Sequence, residues 1–107
     1  TPAESSAAVR ERVNRARALA RERYREYGVP CNGALSGALT KKMCVMDEGA
    51  AVCLKESFEA LQLSARGYDR ILRLARTVAD LEGAEKISEN HILEAVQYRV
   101  SSEKYFG

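Results

Sequence analysis

Arginines are the side chains of this sequence whose spacing best suits chemistry, and three of them form a row. Arg66, Arg70 and Arg73 are spaced so that they share one face of a predicted helix. Ser64 is a suitable N-cap and makes Arg66 the second residue of that helix, where free backbone N–H groups favour an anion. A guanidinium there adds a charged fork that matches phosphate. The other interpretation is a solvent-exposed face in which Asp69 pairs with Arg73.

A second group of arginines is denser but less specific. Residues 9–27 hold seven arginines and three glutamates, a local net charge of +4 in a chain whose total is +2. Arg10, Arg17, Arg21 and Arg25 lie on one flank of a predicted helix. Such a surface suits nucleic-acid phosphates or a neighbouring subunit. A solvated face beside the apolar stripe of the helix is the third interpretation.

Residues suited to catalysis or metal binding are sparse. The chain has three cysteines and one histidine. Because Cys31, Cys44 and Cys53 form no C-x-x-C pair, we expect no metal site. We interpret each cysteine as a small apolar residue, buried or half-buried, with the reduced thiol typical of a cytoplasmic protein. His91 lacks catalytic partners, so we expect it to face solvent or to bond locally. The sequence contains no phosphate loop, and the isolated chain is not predicted to be an enzyme.

Helices must position these residues, because apolar residues recur at helical spacing and no alternating strand pattern is found. Four main helices are predicted over residues 7–27, 48–61, 65–82 and 89–100, with a short one over 37–44 and a loop over 28–35. The helix over residues 48–61 is expected to bury an apolar stripe formed by Ala50 or Ala51, Leu54, Phe58 and Leu61. Their expected N-caps are Ser5 or Ser6, Ser36, Asp47, Ser64 and Ser88. The 107 residues fit one all-α domain spanning residues 1–107. We recognise no signal peptide, and no apolar run is long enough to cross a membrane.

The helix over residues 65–82 also carries a family resemblance. The evidence is the string LSARGYDRILRLARTVADLEG, followed by ISENHILEAVQYR. Together they resemble the C-terminal helical domain of magnesium chelatase-like AAA+ ATPases, and the bacterial competence-protein type more than the chlorophyll-pathway subunit. The resemblance extends to ESSAAVRERVNRAR and to the Asn32-Gly33-Ala34-Leu35 stretch, so it covers nearly all of residues 4–99. The sequence departs from the family at Ala20, where relatives often carry glutamine, and in the tail SSEKYFG.

The resemblance implies that the chain is a small helical lid packed against an AAA+ core of the same, larger protein. That core would carry the phosphate loop, the magnesium-binding acid and an arginine finger. ATP and Mg²⁺ would bind through the core and not to the lid alone. In such proteins an arginine at the start of the lid helix, the sensor-2 residue, reaches the γ-phosphate of ATP. The S-x-R-x-Y pattern places this residue at Arg66, with Arg70 as the second choice.

The resemblance also implies partners. AAA+ proteins act as rings, so we expect a homo-oligomer of the full-length protein. The family contains tetrapyrrole metal insertion as well as DNA-processing motors, and the competence-type resemblance favours DNA processing. The alternative is an arginine-rich helical module that binds nucleic acid or a neighbouring subunit without any role for a nucleotide. No membrane partner is expected.

Overall fold

Five α-helices build the fold, and the computed structural model describes the backbone of residues 5–106 and the side chains of residues 5–100. The helices are α1 (Ser6–Arg23), α2 (Gly37–Met43), α3 (Glu48–Ala60), α4 (Ala65–Glu82) and α5 (Glu89–Phe106). Two 3-10 turns, Arg25–Tyr27 and Asn32–Ala34, lie between α1 and α2. The predicted all-α bundle with four main helices and one short helix is therefore confirmed.

Side-chain caps start four of the helices at the predicted positions. The side chains of Ser5, Ser36, Asp47 and Ser64 each accept a hydrogen bond from a backbone N–H three residues further on. Such caps satisfy backbone donors that have no partner within the helix. Because Ser64 fixes the start of α4 and the left-handed Gly83 fixes its end, α4 has the bounds that the sequence predicts.

The start of α5 uses a histidine instead. The backbone N–H of Ser88 donates to Nδ1 of His91 at 2.9 Å, and Nε2 of His91 lies 3.1 Å from a carboxylate oxygen of Glu82. His91 thus takes the place that glutamate or glutamine has in a capping box. It is 3% exposed, so local bonding is the correct alternative for this residue and exposure to solvent is wrong.

The first and last helices end differently from the prediction. Helix α1 stops at Arg23, and the chain tightens into the 3-10 turn Arg25–Tyr27 before the left-handed Gly28. This early stop turns Tyr24 into the core, where it is fully buried. Helix α5 continues to Phe106 because the sequence contains no glycine or proline that would end it earlier. The side chains of residues 101–107, which form the divergent tail SSEKYFG, lie outside the described residues.

Helix α4 is the central element of the bundle and contacts α1, α2 and α5. Its residues Ile71, Leu72, Ala75 and Ala79 are buried in one cluster with side chains from the other helices. Apart from its terminal residues, only Arg66 and Arg70 of α4 are exposed. A helix enclosed on nearly every side owes its position to packing rather than to its own propensity.

The apolar stripe predicted for α3 is buried only in its first half. Ala50 and Leu54 are fully buried, whereas Phe58 and Leu61 are 37% and 40% exposed. The expectation that the last two face the core is therefore wrong, because the end of α3 extends past the core. Phe58 instead packs edge-on against Tyr68 of α4, with ring centroids 5.8 Å apart.

A short backbone pairing holds the beginnings of α3 and α5 together. Met46 and Ile87 form a parallel bridge, in which the N–H of Asp47 donates to the carbonyl of Ile87 at 2.9 Å. The N–H of Ile87 donates in turn to the carbonyl of Val45 at 3.0 Å. No helix in the described part of the chain has the length and apolar character that crossing a membrane requires.

Candidate functional site

Arg66 lies at the exposed beginning of α4. The Ser64 hydroxyl accepts the N–H of Gly67 at 3.0 Å, which fixes the first turn and makes Arg66 the second helical residue. Among the described residues, no side chain or carbonyl forms a hydrogen bond or an ion pair with its guanidinium. The first turn of α4 holds no acidic residue. Because a cation at the positive end of the helix dipole is unfavourable, local stability does not explain this arginine.

The other two arginines of the row differ from each other. Arg70 is exposed one turn further on, and the described residues offer its guanidinium no partner. Arg73 is half-buried and donates to the Thr40 hydroxyl at 3.4 Å. The predicted pairing of Asp69 with Arg73 is wrong, because the Asp69 carboxylate faces α2, 3.7 Å from the ammonium of Lys41. The exposed part of the row therefore consists of Arg66 and Arg70.

The other half of α4 holds a buried polar group that we call the Asp80 cluster: Asp80, Arg76, Thr77, Arg23, Tyr24 and Asn32. Asp80 and Arg76 are 4% and 2% exposed. Nε of Arg76 donates to Asp80 at 3.0 Å, and its two terminal nitrogens donate to the carbonyls of Glu85 at 2.8 Å and Ala84 at 2.6 Å. Arg76 thereby connects α4 to the segment that leads into α5.

Arg23, the last residue of α1, binds the same carboxylate. Its two terminal nitrogens donate to the two oxygens of Asp80 at 3.0 and 2.8 Å, in the bidentate geometry that suits arginine and carboxylate. This contact ties the end of α1 to the end of α4. The bond with Asp80 is also the main cause of the raised pKa of Arg23.

Asn32 completes the cluster from the 3-10 turn Asn32–Ala34. Its side-chain amide donates to Asp80 at 3.0 Å and to the Thr77 hydroxyl at 3.1 Å, and its oxygen accepts a hydrogen bond from the Tyr24 hydroxyl. A buried polar group costs free energy unless such partners satisfy it. Asn32 therefore joins the loop after α1 to both α1 and α4.

The electrostatics of the cluster keep Asp80 charged. Burial by itself raises the pKa of Asp80, but hydrogen bonds from Arg23 and Asn32 and the charge of Arg76 outweigh it, so the pKa is lowered. Burial also raises the pKa of the Tyr24 hydroxyl. The cluster thus holds a charged carboxylate between two guanidinium groups, with a neutral phenol beside it.

The arginines of α1 have different surroundings. Arg10, Arg17 and Arg21 are exposed, and their guanidinium groups have no hydrogen-bond or ion-pair partner within the described range. Arg25 is exposed as well but forms an ion pair with Glu22. Of the four arginines predicted as an anion or subunit contact, three therefore form a strip along α1 that is unpaired among the described residues.

The three cysteines differ in exposure. All three are free, and Cys44 and Cys53 are buried as predicted. Burial raises the pKa of the Cys44 thiol to about 11, which keeps it protonated. Cys31 is exposed, so its prediction as a buried or half-buried residue is wrong. The chain turns inward one residue later, at Asn32. The described residues contain no group of three metal-ligating side chains.

Sequence reasoning missed the Asp80 cluster. The four-residue spacing of Arg76 and Asp80 within the string ARTVADL was the available signal, since it permits an ion pair on one helix. Arg23 and Asn32 gave no comparable signal, because they lie 57 and 48 residues from Asp80 in the chain.

The five-helix bundle agrees with the all-α class of domain that the resemblance implies. The family model "Magnesium chelatase, subunit ChlI C-terminal" matches residues 3–99. The chain therefore belongs to the magnesium chelatase ChlI C-terminal family. No solved structure matches it.

Curated relatives agree with this assignment. The chain is 41% identical to the protein YifB of Salmonella typhimurium, over 90% of the chain and 18% of the relative. It is 36% identical to the competence protein ComM of Haemophilus influenzae over the same shares. It is also 34% identical to the protein Rv2897c of Mycobacterium tuberculosis, over 90% of the chain and 19% of the relative. The chain thus spans less than a fifth of the length of these relatives.

Proposed function

We propose that this chain is the helical lid of an AAA+ ATPase and that Arg66 contacts the γ-phosphate of ATP bound to the core of the same protein. The observation that carries the proposal is the exposed, unpaired Arg66 at the second position of α4, in a chain of the ChlI C-terminal family. A guanidinium with no partner among the described residues is available to a partner outside them. Arg70, one turn further, is the second choice.

The packing of the bundle would transmit a displacement of Arg66 to the other helices. Helix α4 has 18 residues, so it is about 27 Å long. The Asp80 cluster lies near its other end and fixes α1, the Asn32–Ala34 turn and the segment before α5 to it. A displacement of the first turn of α4 would therefore move the bundle as one rigid body. Hinged domain closure around a ligand works in this way.

The free energy of one contact is sufficient for such coupling. A hydrogen bond to a charged group contributes about 1.5–3 kcal/mol. That range corresponds to about a 10- to 150-fold shift between open and closed positions of the lid. ATP and Mg²⁺ would be bound by the core, which supplies the chemistry of hydrolysis. The chain would contribute only the Arg66 guanidinium and the helical bundle that moves with it.

Substitution of Arg66 in a full-length protein that contains this domain tests the proposal. Arg66→Ala removes the fork, and we expect ATP hydrolysis to fall at least about 10-fold, the lower end of one charge-assisted bond. Arg70→Ala is the matched control, because it removes the same exposed group from the same helix one turn later. Normal hydrolysis in Arg66→Ala would refute the assignment. A selective loss in Arg70→Ala would move the role to that residue.

We further propose that the full-length protein forms a homo-oligomeric ring and acts in DNA processing. The supporting observation is the similarity to a protein named for competence. Hydrodynamic size with and without ATP tests the ring, since a ring contact that depends on nucleotide predicts assembly only when ATP is present.

A second candidate function is anion binding by α1, which the unpaired strip of Arg10, Arg17 and Arg21 favours. Each neutralised phosphate contributes about −0.9 to the slope of log K against log salt, so three contacts give a slope near −2.7. Titration of the chain with duplex DNA at several salt concentrations measures this slope. Arg17→Ala should make the slope less steep by about 0.9, to about −1.8. Arg15→Ala, on the other flank of α1, should leave it unchanged. A DNA affinity that does not change with salt concentration would exclude phosphate contacts and favour the subunit contact.

A further inference from the structure

One residue of the Asp80 cluster, Asn32, belongs to a chemically labile pair. Asn32 is followed by Gly33, and asparagine followed by glycine is the sequence in which side-chain deamidation is sterically easiest. We propose that Asn32 is a deamidation site that the native fold protects from reaction. We further propose that the deamidated product prevents the Asp80 cluster from re-forming between α1 and α4. This inference concerns the covalent chemistry of the chain and does not depend on a role for ATP.

The reaction needs only the chain and water. The backbone nitrogen of Gly33 attacks Cγ of Asn32, so that an N–Cγ bond forms and the Cγ–Nδ2 bond breaks. The side-chain nitrogen leaves as ammonia and takes the proton that the Gly33 nitrogen gives up. Water then opens the resulting five-membered imide at either carbonyl. The product is aspartate, or isoaspartate in which the main chain runs through the side-chain carbon.

The native structure restrains the Asn32 side chain and the main chain beside it, both of which would have to move. Asn32 is 5% exposed, its leaving nitrogen donates to Asp80 and to Thr77, and its oxygen accepts from Tyr24. The main chain is fixed as well, since the N–H of Leu35 donates to the carbonyl of Asn32 at 3.2 Å. Attack therefore requires the 3-10 turn to open and the side chain to leave the cluster.

Gly33 has no structural role that would require a glycine. A Cβ atom placed on it would have no atom within 4 Å, and its φ is not in the left-handed region. The residue that makes Asn32 labile can therefore be replaced without strain. This separates the chemical effect of Gly33 from any effect on folding, and it provides a clean control variant.

The product cannot restore the cluster. A carboxyl group at position 32 has lost the amide hydrogens that bind Asp80 and Thr77. It also places an oxygen where the amide nitrogen lay, 3.0 Å from a carboxylate oxygen of Asp80. Two carboxylates at that distance disfavour ionisation of both. Isoaspartate additionally lengthens the main chain by one carbon within the Asn32–Ala34 turn. Each opening of the turn that leads to reaction therefore leaves a permanent covalent change at residue 32.

The protection of Asn32 by the native fold is tested by incubating the chain at mildly alkaline pH, with and without denaturing urea. The modified peptide is then mapped by mass spectrometry. We expect reaction at residue 32 in urea and a rate at least about 100-fold lower in the native chain, because reaction follows the open fraction. Gly33→Ala, incubated identically, should remain far less modified in urea. Equal rates with and without urea, or no reaction at residue 32 in urea, would overturn the proposal.

The second half of the proposal is tested on refolded material. The chain deamidated in urea is returned to native buffer, and Gly33→Ala that has been through the same treatment is the control. We expect the deamidated chain to unfold at a lower urea concentration than the control and to lose hydrogen-exchange protection at the end of α1. An unchanged unfolding midpoint with full protection would refute the claim that the product blocks the cluster. The Asn32→Asp variant should show the same loss without any alkaline treatment.

Discussion

The two halves of α4 give the same amino acid opposite surroundings. Arg66 in the first turn is exposed and has no partner among the described residues, whereas Arg76 in the fourth turn is 2% exposed and makes three hydrogen bonds. What differs is the set of acceptors that the neighbouring segments bring to each position. At Arg76 these are a carboxylate and two carbonyls. At Arg66 the described residues supply no acceptor.

This comparison distinguishes two uses of arginine in one helix. Where the fold satisfies the guanidinium, the residue holds the domain together, and its loss leaves buried groups without partners. Where the fold leaves the guanidinium unsatisfied at an unfavourable position on the helix, its loss should cost the domain nothing. Stability and ligand contact are therefore expected to respond to substitutions at opposite ends of α4.

The largest effect on stability is expected from Asp80→Ala. It removes the shared acceptor of Arg23 and Arg76 and leaves Arg76 buried with an uncompensated charge, which costs about 3–5 kcal/mol. Urea unfolding followed by circular dichroism measures the change. Asp69→Ala is the matched control at the other end of α4. One oxygen of Asp69 is buried without a hydrogen bond in the described structure, so we expect a smaller loss of stability from this substitution. A loss in Asp80→Ala no larger than in Asp69→Ala would remove the distinction between the two ends.

The pH dependence of unfolding is a smaller effect with the same origin. The folded pKa of Asp80 lies below its unfolded value, so its contribution to stability is present above the unfolded pKa of about 3.9 and is lost as pH falls through the folded pKa. Urea unfolding at a series of acidic pH values should show this loss in the wild-type chain. Asp80→Asn should flatten the curve over the same interval. A wild-type slope retained by Asp80→Asn would assign the effect to other carboxylates.

These expectations also show what the sequence could predict. The start of α4 is defined locally by Ser64 and by helical periodicity, so the exposed position of Arg66 follows from residues within one turn. The Asp80 cluster contains Tyr24, just beyond the end of α1, and Asn32, in a 3-10 turn. Tyr24 donates to Asn32 and Asn32 donates to Asp80, and only the tertiary fold brings these residues together. The early end of α1 was missed for the same reason, since Tyr24 continues the apolar stripe in sequence and is diverted by packing.

The smallest effect on stability is expected from Arg66→Ala. Removing a cation from the positive end of α4 should leave the free energy of unfolding unchanged or raise it by about 0.3–1 kcal/mol. Arg76→Ala is the same substitution at the buried end and should destabilise the chain by at least about 3 kcal/mol. Urea unfolding of the two variants side by side measures the contrast. A clear destabilisation by Arg66→Ala would mean that this arginine has a structural partner.

The central claim is that the unpaired end of α4 distinguishes ATP from ADP, and nucleotide affinity tests it most directly. The measurement compares the dissociation constants of a non-hydrolysable ATP analogue and of ADP for the full-length protein and for its Arg66→Ala variant. We expect Arg66→Ala to lose about 10- to 150-fold of the preference for the triphosphate, with ADP binding unchanged. An unchanged preference for the triphosphate in a folded Arg66→Ala protein would contradict the account.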